Sequence, residues 1–139
     1  MYKNLIEEAR NEGIDRIVVE ALIRKAGERI LLVEDLSAQK PVYELPSTSL
    51  KEQETLPQAI ERALIEITAM HLKEVVAYLG HYDLEGARHY HFVVEVHDPY
   101  AVEENTKFAH AWLQVQEAVG YPIRDDLRGM LDRYVLLGN

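Results

Sequence analysis

The chain has 139 residues, enough for one domain with a sizeable core and too few for two. Its 47% hydrophobic and 28% charged residues match an ordinary globular protein, and a net charge of −9 argues against gripping nucleic acid through phosphates. With no cysteine, a disulfide framework, a zinc–thiolate site and a thiol nucleophile are all excluded. No apolar run approaches membrane-spanning length, and the opening MYKNLIEEARNEG is not a signal peptide. The expected location is therefore the cytoplasm, with no membrane or nucleic-acid partner. The acidic balance still leaves room for a small phosphorylated ligand in a local basic pocket.

Residues 2–12, within an N-terminal segment 1–13, read as a short amphipathic helix. Leu5, Ile6 and Ala9 lie on one side, and Gly13 ends it. RIVVEALIRK (16–25) and RILLV (29–33) are rich in β-branched residues around Ala26-Gly27-Glu28, so 16–34 is expected to form a hairpin. Residues 34–40 are a polar loop, and 41–45 a short strand.

Residues 43–70 then combine a strand end, a loop and a helix. Thr55 can cap the helix, Gln58 sits where the reciprocal cap belongs, and Pro57 falls in the first turn, where its missing N–H does no harm. Ala59, Ile60, Ala63, Leu64, Ile67 and Met70 follow at helical period and predict a wide buried face.

Beyond the helix, residues 74–82 and 88–97 predict a second hairpin around a four-residue loop, 83–86. His89 and His91 share one face of it. That loop length puts Tyr78 across from His91, with Tyr82 on the same face as both histidines. Such a half-exposed patch could stack a base or a sugar, or bind a softer metal than magnesium. An acidic loop at 100–106 follows, then a strand at 107–114 carrying Trp112 and a turn or helical piece at 116–118. The C-terminal segment 122–137 holds a closing helix, 124–136, with Leu127, Met130, Leu131 and Tyr134 as its apolar stripe. The expected architecture is α/β/α, a mixed sheet sandwiched between the 55–70 helix and the closing one.

Laid over residues 48–70, the loop–helix resembles the Nudix box of the Nudix (MutT-like) hydrolases. Glu54, Arg62, Leu64, Glu66 and Met70 stand at the spacing of that motif, and Tyr43-Glu44-Leu45-Pro46 looks like the lead-in that usually precedes two glycines. The resemblance extends along nearly the whole chain and implies the Nudix fold in a single domain, 1–139. It also implies magnesium- or manganese-dependent cleavage of a pyrophosphate linkage between a nucleoside diphosphate and another group, and it allows a homodimer. Residue by residue, it makes Glu54 and Arg62 a structural salt bridge and Glu66 a metal ligand. Tyr43, Ser47 and Thr48 become ligand-side residues, to which the reading of the strands adds Tyr82, His89 and His91.

The departures bear on chemistry. The glycines are Ser47 and Thr48, and the closing glycine is Ala69. The two carboxylates that would join Glu66 are Ala63 and Ile67. Divalent cations need several oxygen ligands, and residues at i, i+3 and i+4 share a helix face, so one carboxylate of three is a poor scaffold for a metal cluster. Substitutes would have to come from Glu95, Glu103 or Glu104. The expectation is a Nudix-fold protein of weak or no activity that binds a nucleotide-type ligand or a partner; the alternative is an active enzyme using Glu66 with carboxylates from outside the box.

Overall fold

A computed structural model describes residues 2–40, 42–103 and 107–136. Among them the order is α1 (Lys3–Asn11), β1 (Arg16–Lys25), β2 (Arg29–Asp35), β3 (Tyr43–Glu44), β4 (Ser47–Ser49), α2 (Leu56–Thr68), β5 (Leu72–Leu84), β6 (Ala87–Val96), β7 (Phe108–Gln114), α3 (Val115–Ala118) and α4 (Asp125–Leu136). The seven strands form one mixed sheet with the path β3-β2-β1-β6-β5, β4 pairing β1 and β7 pairing β2. Met1, Pro41 and residue 137, parts of the expected segments, lie outside the described residues.

Strand β1 organises the sheet. It runs parallel to β6 from Arg16↔Ala87 to Ile23↔Val94. Its other edge carries β4 antiparallel along Val18–Glu20, and only then meets β2, at Arg24↔Ile30 and Lys25↔Arg29. The expected 16–34 hairpin is thus confined to its tip, because β4 already occupies the edge that β2 would need. Strand β2 instead pairs along its whole length with β7.

Alternation along each strand builds two cores. Val19, Ala21 and Ile23 of β1 join Tyr90, Phe92 and Val94 of β6 beneath Leu5 and Ala9 of α1 and Ala59, Ile60 and Leu64 of α2. On the opposite face Leu22, Ile30, Leu32 and Val93 pack with Ala118 of α3 and with Leu127, Met130, Leu131 and Tyr134 of α4. This is the α/β/α sandwich expected from the sequence. Helix α1 is anchored at both ends. The Tyr90 phenol donates to the Leu5 carbonyl (2.6 Å), and buried Arg88 reaches both Glu12 and Asp83 (3.0 and 2.8 Å).

Two local expectations change. Ser47 and Thr48, read as loop, belong to strand β4, where a ready partner in β1 captures them. The β5–β6 connection is two residues rather than four: Glu85 (φ 51°) and Gly86 (φ 80°) form the tight turn whose twist suits a hairpin. With that turn and a register shift between Tyr78 and Gly80, Tyr78 faces Phe92, Gly80 faces His91 and Tyr82 faces His89.

Candidate functional site

Two polar constellations lie on opposite faces of the sheet. The first is built on α2. Thr55 and Gln58 form the reciprocal cap (2.9 and 3.2 Å), with Pro57 in the first turn. That start fixes the phase of the helix and points Arg62 back over the preceding loop. Its guanidinium makes two hydrogen bonds to Glu54, each 3.0 Å, and donates to the Thr48 hydroxyl (2.9 Å) and the Ser49 carbonyl (2.7 Å). Glu54 also accepts from the Lys51 amide (3.0 Å). The hydrogen bonds from Arg62 hold the Glu54 carboxyl below the usual carboxylate range, against the effect of burial. Arg62, Glu54 and Thr48 are one clamp binding loop, β4 and helix.

Two of the three positions that the box resemblance gives to metal, 63 and 67, carry no charge. Ala63 is 1% exposed in the core. Ile67 is half-buried and packs on the α2-side core, which Val102, Phe108 and Trp112 also join. Glu66 points outward, its side chain 58% exposed and 3.9 Å from Arg62. Glu95 is engaged by Arg24 (3.1 Å), and exposed Glu103 donates its backbone amide to Thr68 at the end of α2 (3.1 Å). Glu104 lies outside the described residues. Among the described residues no group of three or more carboxylates or imidazoles is placed to hold a metal ion. The described side chains around α2 therefore do not fit a magnesium or manganese cluster.

The second constellation sits on the α4 side. Glu20, the lone carboxylate in the apolar run of β1, is buried. Its Oε2 lies 2.6 Å from His89 Nδ1 and accepts from the Tyr82 hydroxyl at 3.1 Å. His91, wholly buried, brings Nε2 to 3.0 Å from Oε1, in ion-pair range but without an aligned hydrogen bond. The Tyr82 ring stacks on His89, centroids 4.8 Å apart and planes within 8°. Arg124, just ahead of α4, lies over that ring at 5.7 Å, donates to its hydroxyl, and stands 3.7 Å from Glu20. Burial pushes the Glu20 carboxyl up, but the approach of His89 and His91 outweighs it, and the group comes down to about 2. Burial first, and then Glu20, raise the Tyr82 phenol far above its ordinary value.

The predicted ligand residues consequently separate. Arg62, Glu54, Thr48 and Glu66 gather at α2, whereas Ser47, the neighbour of Thr48 in β4, stands opposite Glu20 across the strand pair. Tyr82, His89 and His91 meet on the α4 face, where the two histidines are buried against Glu20 rather than half-exposed and Tyr82, partly buried, lies under Arg124. Tyr43 joins that same α4-side core, edge-on to Tyr121 with centroids 5.0 Å apart. Sequence reasoning missed Glu20 and Arg124. A single charge inside VVEALI was the available signal for the first; nothing local marked the second.

No protein-family model matches the sequence, and no curated protein matches it. Solved structures do. The E. coli ORF135 protein superposes with a TM-score of 0.71 at 21% identity, covering 88% of this chain and 89% of its own. A MutT from work on Aliivibrio salmonicida and Vibrio cholerae gives 0.77 at 14% identity, over 88% and 98%. A Nudix hydrolase from Nitrosomonas europaea gives 0.71 at 22% identity, over 87% and 88%. At these identities the likeness establishes the fold, which is the MutT-like Nudix fold.

Proposed function

We propose that this Nudix-fold chain binds a nucleotide-type ligand and hydrolyses it slowly or not at all. One observation carries the reading: the helix face that would gather divalent cations presents Ala63, buried, and Ile67, packed into the core. Cations bridging phosphate oxygens neutralise developing charge and orient water, and losing them costs several kcal/mol of transition-state stabilisation. Glu66 alone, exposed and within ion-pair range of Arg62, is a weak substitute. What the box retains is the Arg62–Glu54–Thr48 clamp, which shapes a loop without performing chemistry.

A thermal-shift panel of nucleotide sugars, dinucleotides and nucleoside triphosphates, with and without magnesium and manganese, tests this together with a product assay. Stabilisation without product supports the binder. Brisk metal-dependent turnover that disappears in Glu66→Ala would replace it with an active enzyme drawing carboxylates from outside the box. Among the described residues no helix is long and apolar enough to cross a membrane.

A further inference from the structure

The end of the sheet where β1 turns into β2 concentrates positive charge in a chain of net charge −9. Arg24, Lys25 and Lys73 line an open groove of about 340 Å³, closed on one side by Val96 and Pro99. Among the described residues Glu95 is the one carboxylate lining it, and it is already paired with Arg24 at 3.1 Å. Lys25 has no carboxylate partner among the described residues. Its ammonium instead rests 4.4 Å from the centroid of Trp112 and 5.0 Å from that of Tyr100. Directly across the strand pair stands another cation, Arg29. Like charges opposite one another destabilise a sheet, and Lys25 is also partly withdrawn from water. Burial, followed by Arg29, lowers its affinity for its proton.

This pattern has a specific chemical counterpart. Crowded cations beside two aromatic rings suit a ligand that brings several negative charges in a small volume. The aromatic cradle fixes the Lys25 ammonium in place, so little ordering remains to be done on binding. Tyr100 is 75% exposed, leaving most of its ring open to a planar group. Trp112 also packs on the core that Ile67 of α2 joins.

We propose that this groove binds a polyphosphate group, free or carried by a nucleotide, with Lys25 and Lys73 taking phosphate oxygens and Tyr100 stacking a base when one is present. The inference deepens the nucleotide reading but stands on residues outside the box.

Calorimetry in metal-free buffer with inorganic pyrophosphate, ADP and adenosine tests it. Pyrophosphate and ADP bind, more weakly as salt rises, and adenosine alone does not. Lys73 is exposed, so Lys73→Glu and Lys73→Gln keep the fold. Lys73→Glu weakens both ligands by about tenfold or more, Lys73→Gln weakens them less, and the distant control Lys40→Glu leaves them unchanged. Tyr100→Ala brings ADP down to the level of pyrophosphate. Absence of heat with both ligands at millimolar concentration, or equal binding by Lys73→Glu and Lys40→Glu, overturns the groove. Undiminished ADP binding in Lys73→Glu sinks the groove while the nucleotide reading survives. Pyrophosphate binding that needs Lys73, with no response to any nucleotide, keeps the groove and sinks that reading.

Discussion

Arg62 and Glu54 meet through two parallel hydrogen bonds of 3.0 Å, while Glu66, on the same helix as Arg62, stops 3.9 Å from the same guanidinium. The guanidinium is thus committed to the loop, and Glu66 is left at the edge of its reach. Where the box resemblance expects a loop clamp, Arg62 and Glu54 supply one; where it expects two further cation ligands, Ala63 and Ile67 pack.

The clamp carries a measurable share of stability. Arg62→Met should cost about 2 kcal/mol, less than a fully buried pair because both side chains keep some contact with water. Glu54→Gln should cost about half of that. Urea unfolding of the singles and the double should give a coupling of about 1 kcal/mol; additivity would mean that the two groups do not act together.

Helix α2 ends on Ala69 in the left-handed conformation, φ 65°, where the box resemblance would place glycine. An L-residue with a β-carbon is strained there, whereas glycine is not. Ala69→Gly should therefore stabilise the protein by about 0.5–1 kcal/mol, the relief of strain exceeding the added freedom of the unfolded chain. Its melting temperature should rise by about 2–4 °C. A fall would show that the strain is not felt.

Acid should weaken the α4-side cluster in a defined window. The Glu20 carboxyl is depressed from its ordinary 4.5 to about 2. Its contribution is therefore fully present above 4.5 and is lost as the pH falls toward 2. The groups facing it are Tyr82, His89, His91 and Arg124, with Glu44 also acting on Glu20 and Arg124. Over that window the wild type should lose up to roughly 3 kcal/mol that Glu20→Gln never had. Denaturation curves at pH 7, 5, 4 and 3 measure the difference, and parallel slopes for the two proteins would remove Glu20 from the account.

Sequence made some of this legible and hid the rest for physical reasons. The α2 cap, its buried face and the Arg62–Glu54 spacing are local, set by residues a turn or two apart, and they appear where the pattern put them. The two-faced sheet was also readable, because alternation needs only neighbouring residues. Pairing between distant strands was not. Glu20 lies opposite His91 only because β1 runs parallel to β6, and that register is fixed by packing across the chain rather than by either segment alone. Arg124 reaches the cluster from just before α4, so nothing in its own neighbourhood announces its partner. The missed two-residue turn came from reading Asp83-Leu84-Glu85-Gly86 as loop, when the strand continues through Leu84.

A manganese titration followed by backbone amide NMR tests the central claim most directly, since a bound paramagnetic ion broadens signals near it. The account predicts no saturable broadening along Ala63–Ile67 in the wild type. In the double variant Ala63→Glu with Ile67→Glu, it predicts broadening that saturates, accompanied by a metal-dependent recovery of the stability that burying those carboxylates costs. Saturable broadening of those amides in the wild type, abolished by Glu66→Ala, would contradict it.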